Sequence, residues 1–199
     1  MSRGALSRWM VMTGIAVMAC ASLPAQETKK TETDIVYLID APLVGDEAFA
    51  IIVRNLKRSV SNLQKQQAFD TILLTANGPR SFVNDIKATH ATKKDFKQWE
   101  KWIDRMKMPE KRGDLPSAFL VAAQLKPRMI FYLAGGQGGP ADNKERDQII
   151  NTITGKKKIV CHVVQLGPSK NENRLKTIAA KSKGVFKKIS KKDLRRQRS

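Results

Sequence analysis

The sequence predicts an α/β fold in which helices flank a doubly wound, mostly parallel β-sheet within a single domain. Short apolar runs alternate with segments of helical periodicity that are ten or more residues long, and this alternation is typical of strand–helix–strand units. The apolar runs are hydrophobic on both faces, as strands are when both sides of a parallel sheet are covered. The chain has 199 residues, which is enough for one domain with a sizeable core and flanking segments.

The first half of the domain is predicted to contain two strands and a helix between them. Residues 34–40 are almost wholly apolar before the final carboxylate of Asp40, which is typical of a buried strand. Apolar residues at helical spacing predict a helix over residues 46–66, and a second apolar run predicts a strand over residues 69–76. Residues 80–90 are weakly patterned and fit either a short strand or an irregular loop.

The second half of the domain continues the alternation of helices and strands. Trp99 and Trp102 lie in or beside the apolar face of the first helix there, so we assign them to core packing rather than to a sugar-binding platform. Pro116 suits the first turn of the next helix. The predicted elements are helix 92–106, helix 115–125, strand 128–134, helix 144–154, strand 158–167, helix 171–183 and edge strand 184–189.

The N-terminal segment has the arrangement of a secretory signal peptide. Two arginines precede an apolar run over residues 9–23, and the chain then turns polar. This run is shorter than the roughly 20 apolar residues that cross a bilayer. We therefore expect a signal peptide over residues 1–25, a linker over residues 26–32 and an exported protein, either periplasmic or extracellular. An uncleaved signal anchor and a lipoprotein anchored at Cys20 are the alternatives.

The formal net charge of +19 favours polyanionic partners and disfavours self-association. Residues 191–199 lack apolar periodicity and are predicted to form a disordered basic tail. Because export is expected, we expect an anionic envelope component, with membrane association, rather than nucleic acid. A solvated tail without any partner fits the composition equally well. The candidate partner-binding residues of the tail are Lys191, Lys192, Arg195 and Arg196.

Motifs for catalysis are scarce. The sequence has no Gly-x-Ser-x-Gly elbow, no His cluster at metal-ligand spacing and no conspicuous pair of acids, so we expect a protein that is not an enzyme. The loop over residues 135–139 follows a strand, as a phosphate cradle does, but it lacks the spacing of a dinucleotide fingerprint and the Lys of a P-loop. Cys161 and His162 are neighbours on a strand, so they point to opposite faces, with Cys161 in the core.

Three segments resemble, in order and spacing, the von Willebrand factor A (vWA) family. The first is strand 34–40, and the second is the stretch 113–119 followed by residues 126–133. The third segment, residues 159–189, is similar to the family's final strand, helix and Gly-Val-Phe ending. The resemblance covers residues 33–190, and it is closest to short exported vWA proteins of planctomycete-type bacteria. It implies a Rossmann-like vWA fold.

The resemblance also implies a metal site, known as MIDAS, that this chain has largely lost. The family takes Asp-x-Ser-x-Ser after the first strand, a Thr from a second loop and an Asp from the fourth strand, because Mg²⁺ needs oxygen ligands. Asp40 fills the first place, and the threonine place falls near Asp114 or Leu115. Asp40 and Asp114 are therefore remnant candidates in a degenerate site, and no cofactor is expected. The other places fall on Pro42, Val44 and Ala134.

The sequence thus predicts an exported interaction module that binds a protein or an anionic envelope partner. The expected contacts are the basic tail and the loops at the C-terminal ends of the strands, with Asp40, Asp114, Gly135 and Gly136 as candidate residues. Asp40 is expected to be a structural relic, bonded to its own loop. Two alternatives remain: a polyanion binder that acts through its tail alone, and an α/β enzyme that uses loop 135–139 for a phosphorylated ligand.

Overall fold

A six-stranded sheet forms the centre of the domain. The computed structural model describes residues 33–42, 45–64, 67–82, 93–155, 158–190 and 193. The predicted fold class is confirmed, because helices alternate with the strands along these residues. The elements are β1 (Ile35–Asp40), α1 (Asp46–Ser61), β2 (Phe69–Thr75), β3 (Gly78–Ser81), α2 (Lys93–Asp104), α3 (Leu115–Gln124), β4 (Met129–Gly135), α4 (Asn143–Thr154), β5 (Val160–Leu166), α5 (Glu172–Lys181) and β6 (Phe186–Ile189).

The strand order places a topological switch point beside β1. The order across the sheet is β3-β2-β1-β4-β5-β6, and only the β2–β3 pair is antiparallel among the described strands. The chain runs from β1 outward to β3 and then returns to β4 on the other side of β1. A crevice forms at the carboxyl ends of the strands at such a point. Asp40 lies there, in register with Ala134 of β4.

Two hydrophobic cores lie on opposite faces of the sheet, because successive strand residues point to alternate sides. Ile35, Tyr37 and Ile39 pack against α1 and α2. Val36 and Leu38 pack against α3, α4 and α5. This alternation explains why the strands read as continuous apolar runs in the sequence.

Several core assignments made from the sequence are confirmed. Trp99 and Trp102 are buried, with exposed fractions of 0% and 6%. Cys161 is a free, fully buried thiol in the core beneath α5, whereas His162 faces the opposite side and stacks on Phe131. The strand therefore separates Cys161 from His162, as the alternation of side chains requires.

The β2–β3 hairpin places the start of the segment 80–90 in a short strand, and residues 83–90 lie outside the described residues. Ala76 and Asn77 reverse the chain, and β3, which begins at Gly78 with φ = 108°, pairs antiparallel to β2 at the edge of the sheet. Pro79 is tolerated because it lies on this edge strand. The prediction for α1 was too long, since the helix ends at Ser61 rather than at residue 66. Ser61 donates its hydroxyl to the Arg58 carbonyl, a local bond that competes with helix continuation.

The segments at both ends of the chain lie largely outside the described residues. These include the predicted signal peptide with Cys20, the predicted linker, and the tail residues Lys191, Lys192, Arg195 and Arg196. Within the described part of the chain, no helix is both long and apolar enough to cross a membrane.

Candidate functional site

Asp40 ends β1 with its side chain fully buried at the switch point. Its Oδ2 accepts a hydrogen bond from the Tyr132 hydroxyl at 2.8 Å and another from the Gly139 amide at 2.7 Å. The prediction that Asp40 bonds its own loop was wrong. Both donors come from β4 and the loop that follows it, because the parallel register brings Tyr132 to the same face beside Asp40.

A row of three side chains crosses the sheet at this point. Asp40, Ala134 and Gln165 are in register on β1, β4 and β5. The methyl group of Ala134 separates the two polar side chains. Both Asp40 Oδ1 and Gln165 Oε1 are buried without a hydrogen-bond partner among the described residues. Gln165 was not predicted from the sequence, because its place beside Ala134 follows only once the register of β4 and β5 is known.

The glycine-rich loop after β4 is held against the end of β1. The Gln137 amide donates to the Pro42 carbonyl at 3.2 Å, and the Gly138 amide donates to the Gly135 carbonyl at 2.8 Å. A Cβ on Gly138 would lie 2.2 Å from the Asp40 carbonyl oxygen, so only glycine fits. With the Gly139 amide bound to Asp40, these three amides already have acceptors, and a phosphate cradle would need them free.

Gly135 and Gly136, the candidate contact residues of this loop, differ in their exposure. Gly135 is buried as the last residue of β4, whereas Gly136 is partly exposed in the turn. Of the two, Gly136 is therefore the one that a partner can reach.

An ion pair that the sequence analysis missed lies close to Asp40. Arg112 Nη2 pairs with Glu145 Oε2 at the start of α4, and the same oxygen accepts from the Ala141 amide at 2.8 Å. Arg112 Nε is buried without a partner among the described residues. A signal was present in the sequence, because Arg112 directly precedes the Gly113-Asp114 loop that carries part of the family resemblance.

Asp114 serves as the N-cap of α3. Its carboxylate accepts from the Ser117 amide at 3.3 Å and from the Ser117 hydroxyl, which satisfies an amide of the first helical turn. Gly113 packs against the end of β2, where a Cβ would lie 2.2 Å from the Thr75 carbonyl oxygen. Arg112, Gly113 and Asp114 are thus each engaged within the fold.

Burial dominates the electrostatics of the site. It raises the pKa of Asp40 above its usual value, while the Gly139 amide, the Tyr132 hydroxyl and the charge of Arg112 each lower that pKa. The negative charge of Glu145 raises the pKa of Asp40. Burial also raises the pKa of Tyr132 well above its normal value, and the neighbouring Asp40 raises it further. The Tyr132 hydroxyl is therefore a reliable hydrogen-bond donor at neutral pH.

The residues at this site do not fit an octahedral Mg²⁺ centre. Asp40 Oδ2 is committed to two protein donors, and neither Pro42 nor Ala134 has a side-chain oxygen. Val44 lies outside the described residues. Over the described ranges, no group of three or more His, Cys, Asp or Glu residues could hold a metal ion. Mg²⁺ needs several well-placed oxygen ligands, and Asp40 Oδ1 alone is insufficient.

Comparison with solved structures identifies the fold. The chain is similar to a von Willebrand factor type A protein from Catenulispora acidiphila, with a TM-score of 0.70 and 14% identity over 85% of this chain and 42% of the other. It is also similar to the ArnB paralog VWA2 from Sulfolobus acidocaldarius, with a TM-score of 0.58 and 18% identity over 82% of this chain and 42% of the other. The SpRpn10 VWA domain gives a TM-score of 0.59 and 9% identity over 84% of this chain and 95% of that domain.

The chain therefore has the vWA fold, as the sequence resemblance implied. It spans less than half the length of the first two structures and nearly all of the SpRpn10 domain. No protein-family model matches the chain, and neither does any curated protein. At identities this low the likeness concerns the fold, and function has to be argued from the site itself.

Proposed function

We propose that this protein is a non-enzymatic interaction module that uses the vWA fold without a bound metal ion. The observation that carries this proposal is the state of Asp40, whose Oδ2 is satisfied by Tyr132 and Gly139. The carboxylate that supplies the first metal ligand in the vWA family here connects β1 to β4 and to the loop after β4. The site is then a degenerate form of the vWA metal site, in a protein like the short exported ones that the sequence resembles.

The charge of the chain indicates the kind of partner. With a formal net charge of +19, the protein attracts acidic surfaces over about a Debye length, or about 8 Å at physiological salt. The signal-like N-terminus favours export, and a partner in the cell envelope or outside it follows from that location. We propose that a protein or an anionic envelope component is bound at the loops beside the carboxyl ends of the strands.

Calorimetry tests whether the module works without metal. Mg²⁺ and Mn²⁺ are titrated separately into the purified protein, and the melting temperature is measured with and without EDTA. We expect no saturable heat at millimolar metal and no change of melting temperature with EDTA. A micromolar affinity that is lost in Asp40→Asn would overturn the proposal, because it would show that Asp40 binds a cation.

A second candidate function is electrostatic binding through the tail alone. The cluster of Lys191, Lys192, Arg195 and Arg196 favours it. Deletion of residues 191–199 is the test, with binding to phosphatidylserine vesicles measured at low and high salt. Loss of binding on deletion supports the tail. Binding that survives both deletion and high salt rules the tail out as the binding element.

A further inference from the structure

A cleft of about 600 Å³ lies beside the site, between the β2–β3 hairpin and the loop that joins α2 to α3. Its apolar lining comes from the end of β2 and from the joining loop. Met106 and Met108 are partly exposed in this loop, and methionine side chains adapt readily to different apolar partners. The apolar lining residues are Leu73, Ala76, Met106, Met108 and Pro109.

The walls of the cleft are fixed by contacts at both ends of the loop. At the first end, the amides of Arg105 and Met106 continue the hydrogen bonding of α2, each at 3.1 Å. At the other end, Gly113 packs tightly on the Thr75 carbonyl. The Gly45 amide also contacts Met108 Sδ at 3.0 Å. The cleft is thus held by the fold, which lowers the entropic cost of ordering it when a ligand binds.

The rim of the cleft is strongly cationic. Within the described part of the chain, four cationic residues line it against the one carboxylate of Glu110, and they are Arg80, Arg105, Lys107 and Lys111. Arg105, Lys107 and Lys111 are exposed, and none of their three side chains makes a hydrogen bond or an ion pair with another described residue. Two other exposed lysines, Lys176 and Lys188, are instead paired with Glu172. The cleft therefore combines an apolar lining with uncompensated positive charge.

We propose that this cleft binds an acidic segment of a partner protein, with an apolar side chain of that segment seated against Met106 and Met108. This inference rests on the proposed function, because it names the surface and the partner chemistry of the interaction module. The carboxylates of the segment pair with Arg105, Lys107 and Lys111, which gives the charge complementarity that speeds association and selects the partner.

Two other polyanions match the cleft less well. Among the described residues no aromatic side chain lines it, so this part of the chain offers no stacking platform of the kind on which single-stranded nucleic acid binds. The large exposed apolar side chains among the described residues are Leu120 and Val185, and neither lines the cleft. Neither of these two side chains is therefore placed at the cleft to insert into a membrane surface.

Fluorescence anisotropy with a short fluorescein-labelled peptide of glutamates and two leucines tests the proposal on the full chain. We expect the double variant Lys107→Glu/Lys111→Glu to bind this peptide about tenfold more weakly than the wild type. The control variant Lys144→Glu/Lys181→Glu has the same net charge, and its residues are exposed on α4 and α5 away from the cleft. It is expected to lose no more than about twofold. All three proteins retain the basic tail, so the comparison cancels its contribution.

Two further probes separate the sources of affinity. Replacing both leucines of the peptide by serine is expected to weaken wild-type binding about fivefold, because the apolar anchor is lost. Phosphatidylserine vesicles and a short DNA duplex are each expected to bind the two double variants with the same affinity. Equal loss in both variants, or tighter binding of vesicles or DNA through Lys107 and Lys111, would overturn the assignment.

Failure of this inference is distinguishable from failure of the proposed function. If the peptide binds and both double variants weaken it equally, the cleft is the wrong surface, while the metal-free interaction module stands. A different outcome is that EDTA abolishes peptide binding while, without EDTA, the control variant still binds the peptide like the wild type. In that case the metal-free proposal fails and the assignment of the cleft stands.

Discussion

Removing the hydroxyl of Tyr132 is expected to destabilise the domain in a pH-dependent way. Tyr132→Phe keeps the ring, which packs edge-on against Phe119 with the ring centroids 5.0 Å apart. It deletes one of the two donors to Asp40 Oδ2. Since Asp40 Oδ1 has no partner among the described residues, the carboxylate then keeps only the Gly139 amide.

The size of the effect follows from the charge of the acceptor. A hydrogen bond to a charged group contributes about 1.5–3 kcal/mol, against about 0.5–1.5 kcal/mol for a neutral pair. In a domain of this size, 1 kcal/mol shifts the melting temperature by about 2–4 °C. Tyr132→Phe is therefore expected to lower the melting temperature by about 3–12 °C at neutral pH.

The matched control is Tyr37→Phe in the opposite core. Tyr37 is also buried, and its hydroxyl bonds Ser59 Oγ at 2.9 Å, which is a neutral pair. Burial raises the pKa of Tyr37 to about 12, so neither group titrates between pH 4 and 8. Tyr37→Phe is expected to lower the free energy of unfolding by about 0.5–1.5 kcal/mol, and this loss is expected to be the same at every pH in this range.

The sign of the pH dependence comes from Asp40. Burial raises its pKa in the folded state above the value of 3.8 that serves as reference for the unfolded chain, so the folded protein binds this proton more tightly. Stability from this group is therefore present at low pH and is lost as the pH rises towards the folded pKa. The Tyr132 hydroxyl lowers the Asp40 pKa, and its removal enlarges that loss. The gap between Tyr132→Phe and the wild type is thus expected to widen from pH 4 upwards.

Urea denaturation of wild type, Tyr132→Phe and Tyr37→Phe between pH 4 and 8 measures these differences in unfolding free energy. A loss in Tyr132→Phe that matches Tyr37→Phe in size and does not vary with pH would refute the reasoning. It would mean that the hydroxyl bonds an Asp40 that stays neutral throughout the range.

Three further predictions concern the neighbouring loops and the core. Gly138→Ala is expected to lower the free energy of unfolding by about 1–3 kcal/mol through overpacking against the Asp40 carbonyl. The loss is expected to exceed that of Gly167→Ala, whose added methyl group meets no atom within 4 Å although φ is 78°. Equal losses of the two variants in thermal denaturation would contradict this. Asp114→Ala is expected to cost about 1 kcal/mol through loss of the α3 cap, measured by urea denaturation, and no loss would show that the cap contributes nothing. In a Cys20→Ser variant, Cys161 is expected to react with Ellman's reagent only after unfolding, because burial raises the pKa of its thiol and excludes the reagent. Rapid labelling of this variant in its native state would contradict the burial of Cys161.

The sequence predicted the strands and helices well because each is set by local periodicity. The buried run of β4 and the amphipathic pattern of α2 are visible without any knowledge of the fold. The predicted ends were less accurate, as α1 shows, because helix ends depend on competition among local hydrogen bonds. The antiparallel β3 was left undecided, since its four residues pair only once β2 is in place beside them.

The candidate site was predictable only in part. Asp40 was found because a carboxylate at the end of an apolar strand is unusual, and the missing oxygens at Pro42 and Ala134 were read directly from the sequence. Arg112 and Glu145 are 33 residues apart, and nothing local links them. The cationic cleft was missed for the same reason, because Arg80 and Lys107 come from segments that only the fold brings together.

By itself, the sequence determined the fold class, the place of Asp40 and the absence of a side-chain oxygen at Pro42 and Ala134, because these depend on side-chain type and on periodicity along the chain. Only the tertiary structure decided what Asp40 does. The register of β1 against β4 places Tyr132 and the Gly139 amide on its Oδ2. A buried carboxylate must find hydrogen-bond donors, and donors far apart in the sequence become neighbours only when the sheet is assembled.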